Sequence, residues 1–343
     1  MTMGSMLRFD PTTLDWVIFA PSRARRPHEL RTHNEPIRPM TDGPAACPFC
    51  PGHEALAPHE IYVERPLGGS GHEWSVRVVP NKFPALQVEE QPLRHMDPHG
   101  FRSLGGCGAH EVIIESPDHA RLLCDQPVEQ IERVLRAAQI RCQDLMRDAR
   151  IQTVIVFKNH GEGAGTSLVH PHWQLIANPV VPRLLRLKHD VATTYFDQTG
   201  ECLYCDLVQR ELECRQRVLA TNDAFVAFLP YASHVPFETW ILPRRQIAAF
   251  TSQPRDDFRA LADLLKIVLS SLHRALDNPD YNLTIDTVAR GDETEAYFLW
   301  HMRILPRLST PGGFEMGSGM SINTVLPEEA AAFLREKEFA TRH

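Results

Sequence analysis

The segment Gly165-Thr166-Ser167-Leu168-Val169-His170-Pro171-His172-Trp173-Gln174 sets two histidines one residue apart, after a glycine-rich turn and before the apolar run Leu175-Ile176-Ala177. Side chains two apart on an extended strand share a face, so the rings of His170 and His172 point the same way. Pro171 fixes φ between them and narrows their orientations. A neutral imidazole is both a nucleophile toward phosphorus and a zinc ligand. This face can carry a metal ligand, a nucleophile, or one of each, although a lone His-x-His is also what a structural strand histidine looks like.

A Cys-x-x-Cys pair, Cys47 and Cys50, can place two sulfurs on one ion. With His119 and His170 it makes a chemically complete tetrahedral zinc set. Four protein ligands leave no open position, so such a site is structural. The competing reading is a reduced cysteine pair beside two unrelated histidines. If His170 holds zinc, His172 is free for chemistry. Gln174 lies two residues further along the same face and can donate an amide hydrogen bond to a phosphoryl oxygen. Ser167 and the amides of 161–165 can form an anion-binding nest. That glycine run lacks the Gly-Lys-Ser/Thr ending of a P-loop. Arg23, Arg25 and Arg26 form the local cationic cluster, and arginine's fork suits phosphate; the same run also reads as a solvated charge cluster.

The elements that must position these groups occur twice. The chain has 343 residues, 43% hydrophobic and 23% charged, the composition of a globular protein. No run of about 18 apolar residues predicts a spanning helix, and no secretory signal is evident, so we expect a cytoplasmic protein without a membrane partner. A formal charge of −7 argues against bulk nucleic-acid binding. Eight cysteines in such a chain favour thiols and metal sites over disulfides. Cys107, Cys124, Cys142 and Cys214 read as packing residues.

Each half opens on a knuckle, Cys47-Pro-Phe-Cys50 and then Cys202-Leu-Tyr-Cys205. Strand-like alternation follows at Ser75 to Val79 and His110 to Glu115, then at Ala224 to Leu229 and Glu238 to Leu242. A helix comes next, with an apolar stripe at 3.6-residue spacing. Its positions are Val128, Ile131, Val134, Leu135, Ala138 and Leu145 in one half, and Phe258, Leu261, Leu264, Leu265, Val268, Leu272 and Leu276 in the other. Strands at Thr153 to Phe157 and Asn282 to Ile285 lead to the histidine strands at His170 and Trp300-His301. We read an α+β fold of two copies of one unit, 1–195 and 196–343, with a mainly antiparallel sheet and flanking helices.

His-Pro-His-x-Gln resembles the active-site signature of galactose-1-phosphate uridylyltransferases, in the histidine-triad superfamily. Trp16-Val17-Ile18 with 21–27, Cys47-Pro48-Phe49-Cys50, Val78-Val79-Pro80-Asn81-Lys82-Phe83-Pro84, Ser116-Pro117-Asp118-His119 and Phe157-Lys158-Asn159 resemble further blocks in the family's order. The resemblance implies two fused histidine-triad-like motifs, commonly a homodimer with shared sites, and structural zinc on Cys47, Cys50, His119 and His170. It implies ping-pong transfer through a nucleotidyl-histidine on His172, between a nucleotide sugar and a sugar 1-phosphate or phosphate. Asn81, Asn159, Ser167 and Gln174 match substrate contacts, and Arg23 and Arg26 match arginines that meet the second phosphate substrate.

In the second half Gln246 falls where His119 stands and Leu299 where His170 stands, so that knuckle should bind metal weakly or not at all. Some members carry iron there on a glutamate and three histidines. Here His301 is the one matching histidine and Arg303 replaces another, so no second iron is expected. Gly319 and Val325 stand where uridylyltransferases bind hexose hydroxyls through a glutamate and a glutamine. This segment resembles the divergent branch that includes ADP-glucose phosphorylases. Four readings follow: UDP-glucose:hexose-1-phosphate uridylyltransferase as the leading one, then ADP-glucose phosphorylase, nucleotide-phosphoramidate hydrolase, and a non-catalytic nucleotide-binding protein. Trp173 either narrows the pocket or faces the core.

Overall fold

The computed structural model describes residues 4–23, 43–66 and 73–339. Its strands are β1 (Met6–Asp10), β2 (Asp15–Phe19), β3 (Tyr62–Glu64), β4 (Val76–Pro80), β5 (Arg94–Met96), β6 (Arg102–Leu104), β7 (Ala109–Ile114), β8 (Thr153–His160), β9 (His172–Asn178), β10 (Val218–Thr221), β11 (Phe225–Phe228), β12 (Thr239–Pro243), β13 (Tyr281–Asp286), β14 (His301–Pro306) and β15 (Ile322–Asn323). Its helices are α1 (Val128–Leu145), α2 (Arg183–Thr199), α3 (Leu203–Cys214), α4 (Phe258–Leu276), α5 (Gly313–Ser318) and α6 (Pro327–Phe339).

Ten strands form one antiparallel sheet in the order β10-β11-β12-β14-β13-β8-β9-β7-β4-β3. Read inward from either edge, the order is the same repeat: β3, β4, β7, β9, β8 in one half and β10, β11, β12, β14, β13 in the other. The halves join where β8 pairs with β13, from Tyr281 opposite His160 to Ile285 opposite Val156. The expected α+β unit is therefore present twice within one sheet. The seam read near residue 195 falls inside α2, which runs unbroken from Arg183 to Thr199.

Strand alternation sorts the faces. On β9, Trp173, Leu175 and Ala177 enter the main core with Ile113 of β7, Val156 of β8 and Leu283 of β13. The stripes of α1 and α4 cover this face, and full burial of one such Leu or Val contributes about 1.5–3 kcal/mol. Trp173 is fully buried there, facing the core. The opposite face carries His172, Gln174 and Ile176. Over the first half it is covered by the Cys47–Cys50 knuckle with Phe49, Val112 and Ile114; over the second by α2 and α3 with Trp240 and Phe298. Cys107, Cys124 and Cys142 are buried packing residues as expected, whereas Cys214 is exposed at the end of α3.

A candidate metal centre beside a buried histidine

Cys47, Cys50, His119 and His170 converge, with one ligand atom from each lying within 4.8 Å of all the others. Among the described residues no other such group is present. Cys50 Sγ stands 3.3 Å from His119 Nδ1 and 3.6 Å from His170 Nδ1, and Cys47 Sγ stands 3.6 Å from His170 Nδ1. A tetrahedral zinc with ordinary Zn–S and Zn–N lengths separates sulfur and nitrogen by about 3.6 Å. His170 Nε2 bonds the Ser116 carbonyl at 2.8 Å, which leaves Nδ1 as the ligand atom. The Phe49 N–H donates to Cys47 Sγ at 3.4 Å. The quartet therefore fits a closed tetrahedral metal site by donor type, spacing and outer support.

His172 opens β9 and is 6% exposed. Its Nδ1 lies 2.8 Å from the His170 carbonyl, which can only accept, so Nδ1 carries the proton and Nε2 keeps its lone pair. Burial lowers the ring's pKa to about 4, with Lys158 reinforcing the effect and the bond to the His170 carbonyl opposing it. His172 is accordingly neutral at pH 7 and oriented to use Nε2. Phe49 packs edge-on against both His170 and His172, at 6.0 and 5.5 Å between centroids. Behind the strand, Lys158 Nζ pairs with Glu115 Oε1 at 2.5 Å, both side chains buried, and lies 3.5 Å from the His172 carbonyl.

The other sequence-expected side chains of the first half have partners of their own or stand exposed. Gln174 Oε1 lies 2.8 Å from His110 Nε2. Asn81 accepts the Phe83 N–H at Oδ1 and turns Nδ2 toward His110. Asn159 Oδ1 accepts from Asn282 Nδ2 at 2.8 Å. Ser167 is exposed on the loop before His170. The expected anion nest is corrected in one respect: the Gly163 N–H already donates to Asp280 Oδ2 at 2.7 Å, and the Ala164, Gly165 and Thr166 amides bond carbonyls of the same turn. A carboxylate from β13's approach fills the cradle that a phosphate was expected to use.

Arg23 ends the first described segment. It lines a cavity of about 250 Å³ with His234, Arg307, Glu315, Ser321 and Thr324 of the second half. Arg26 lies outside the described residues. Sequence reasoning missed His110 and Asp280, because each acts through a contact far away in sequence and neither belongs to a recognisable spacing.

The second half repeats the geometry with different chemistry. His301 Nδ1 bonds the Leu299 carbonyl at 3.0 Å, as His172 does to His170. Its surroundings are ionic: Lys188 pairs with Asp286, and Arg303 with Glu238 at 3.1 Å. Burial alone would raise the Asp286 carboxyl, but Lys188, His301 and Arg303 hold it well below its usual range. At the second knuckle Cys202 caps α3, its Sγ accepting the Cys205 N–H at 3.3 Å. Gln246 spends its amide on the Phe298 and Glu295 carbonyls, and Leu299 is buried. Val325 is buried in the core and Gly319 ends α5 at φ 76°, so neither offers a polar side chain to a sugar.

A twofold-repeated α+β sheet with a zinc-type quartet fixed beside a neutral strand histidine defines a phosphate-transfer class of protein. Residues 2–182 match the family model described as galactose-1-phosphate uridyl transferase, N-terminal domain, and residues 188–340 match the C-terminal domain. The chain belongs to the galactose-1-phosphate uridyl transferase family, a family of nucleotidyltransferases. It is 36% identical over 335 residues to ADP-glucose phosphorylase of Arabidopsis thaliana, covering 96% of this chain and 92% of that protein. It is 26% identical over 340 residues to galactose-1-phosphate uridylyltransferase of Thermotoga maritima, covering 97% and 98%. The crystal structure of an Arabidopsis ADP-glucose phosphorylase with bound ADP-glucose is similar at TM-score 0.81 and 34% identity, over 97% of this chain and 99% of that one.

Proposed function

We propose that this chain transfers a nucleotidyl group through His172, taking it from an ADP-sugar and delivering it to orthophosphate. In the first half-reaction His172 Nε2 attacks the α-phosphorus. A P–N bond forms, the P–O bond to the β-phosphate breaks, and a sugar 1-phosphate leaves with the electron pair. In the second, an oxygen of the acceptor phosphate attacks the same phosphorus and the P–N bond breaks, returning the imidazole. Two easier displacements replace one difficult one, and the low pKa of the leaving phosphate makes general-acid help dispensable.

The observation that carries this reading is the tautomer of His172: a buried neutral ring with Nδ1 committed to the His170 carbonyl and Nε2 left with its lone pair. Gln174 and Ser167 would donate to the phosphoryl oxygens as charge builds. Asn81 and Asn159 would contact the nucleotide. Zinc on Cys47, Cys50, His119 and His170 would be structural, tying the knuckle to the start of β9. Arg23 and Arg26 would bind the second phosphate bidentately. Arg23 lines a cavity with second-half residues of its own chain, and we infer a homodimer of two-unit chains (1–195 and 196–343) in which one copy's Arg23 serves the other's His172. None of the eight cysteines is in a disulfide, which fits a cytoplasmic setting. No helix among the described residues is long and apolar enough to cross a membrane.

Adenylyl transfer is favoured over uridylyl transfer by the 36% identity to an ADP-glucose phosphorylase. Gly319 and Val325, which offer no polar side chain, also depart from the uridylyltransferase pattern at the positions matched to hexose contacts. Uridylyl transfer from UDP-glucose to a hexose 1-phosphate is the second reading, supported by the uridylyltransferase relatives. The test offers ADP-glucose with orthophosphate and, separately, UDP-glucose with galactose 1-phosphate. ADP and glucose 1-phosphate from the first pair support the proposal; UDP-galactose from the second moves the assignment to uridylyl transfer. Turnover of neither overturns nucleotidyl transfer to these acceptors.

A further inference from the structure

His110 stands on β7 opposite Ile176, with Gln174 two residues back on the same face of β9. It is half-buried, and both of its ring nitrogens are engaged. The Ala85 N–H points at Nδ1 from 3.3 Å, and Nε2 lies 2.8 Å from Gln174 Oε1. A backbone amide can only donate, so Nδ1 must accept, and the ring proton sits on Nε2. Nε2–H then donates to Gln174, which selects the oxygen of that carboxamide and turns its NH2 away from His110. The opposite tautomer would set Nδ1–H against the Ala85 N–H.

The neighbouring Asn81 obeys the same logic. Its orientation is set by the Phe83 N–H donating to Oδ1 at 2.9 Å, which leaves Nδ2 3.2 Å from His110 Nε2. Two donors facing each other do not bond, so Asn81 keeps its amide protons for another acceptor. The segment is held in place by the Asn81 N–H donating to the His110 carbonyl at 2.7 Å. One imidazole thus leaves the donors of two carboxamides unused by itself.

We propose that His110 is a positioning residue: as the Nε2–H tautomer it orients Gln174 so that its amide donates to the transferring phosphoryl group. This rests on the proposed role of Gln174 at that group. A preoriented donor stabilises developing charge without reorganising during the reaction. A Gln174 free to rotate would present its oxygen to the anion for part of the time.

The test follows the first half-reaction in His110→Ala, His110→Gln and Gln174→Ala proteins, together with 15N NMR of the wild-type histidines assigned through His110→Gln. His110→Ala should lower kcat about tenfold to a hundredfold with little change in KM. His110→Gln, whose amide nitrogen can replace Nε2–H, should recover most of that rate. Adding His110→Ala to Gln174→Ala should cost little more, since the two act as one unit. Additive losses, a change confined to KM, or a glutamine variant as slow as alanine would overturn the proposal. The NMR arm judges it independently of the chemistry: the neutral His110 ring should carry its proton on Nε2, and an Nδ1–H tautomer refutes it even if the wild type transfers no nucleotide.

Discussion

Lowering the pH should slow the first half-reaction far later than an ordinary histidine would allow. Burial holds His172 at about 4 in place of 6.5. At pH 5.5 a ring with that pKa is only about 3% protonated, whereas one at 6.5 would be about 90% protonated and nearly inactive as a nucleophile. The diphosphate of a nucleotide sugar has no ionisation in this range, so the rate of sugar 1-phosphate release in a single turnover reports the enzyme alone. The rate should stay nearly constant from pH 7.5 to 5.5. The same shift is a stability statement. The native ring binds its proton more weakly than the unfolded one, so the unfolded chain takes up the proton first as pH falls through 6.5. Stability is then lost progressively down to about pH 4, by about 3 kcal/mol in all. Replacing His172 by Asn should remove that part of the acid destabilisation, measured by denaturant titrations at pH 7 and 5. A single-turnover rate that falls with an apparent pKa near 6.5 would refute the buried, neutral nucleophile.

Other consequences are separable from that one. Cys47→Ser should abolish stoichiometric zinc and lower the melting temperature by several degrees, because metal binding free energy is folding free energy; unchanged metal content and melting would exclude a structural zinc. Lys158→Met leaves Glu115 charged and unpaired in the core and should cost about 3–5 kcal/mol, largely recovered by adding Glu115→Leu; chemical denaturation reads both. Gly161→Ala places a Cβ onto Asp280 at φ 81° and should destabilise the loop before His170. Native hydrogen exchange there should accelerate, and an unchanged protection pattern would show that the Asp280 clamp does not hold the turn.

Much of the fold was legible because its pattern repeats, and the Cys-x-x-Cys and His-x-His pairs of the site because their spacing is short. The apolar stripes from Val128 to Leu145 and from Phe258 to Leu276 became α1 and α4 because period and burial agree over about five turns. The Cys47, Cys50, His119 and His170 set was readable because only those residue types complete a zinc tetrahedron. What remained hidden acts across the fold. His110 gains its meaning from Ala85 and Gln174 through strand pairing, and no local pattern announces it. Asp280 turns the glycine run from an open anion nest into a filled one, because a carboxylate 117 residues distant from Gly163 reaches its amide. Lys188 looks like an ordinary helix cation, yet it is buried against Asp286. Trp173 was ambiguous from its neighbours, and strand parity resolves it into the core. Arg23 reads as part of a local cationic run, yet the fold sets it in a cavity lined by second-half residues.

The most direct measurement is the intact mass of the protein after brief, neutral exposure to ADP-glucose without acceptor, for wild type and His172→Asn, with zinc content measured in both. Wild type should gain the mass of one AMP and lose it on addition of orthophosphate, and a zinc-loaded, folded His172→Asn protein should gain nothing. Persistence of the adduct in that variant, or single-turnover release of glucose 1-phosphate by the wild type with no adduct, would contradict covalent transfer through His172.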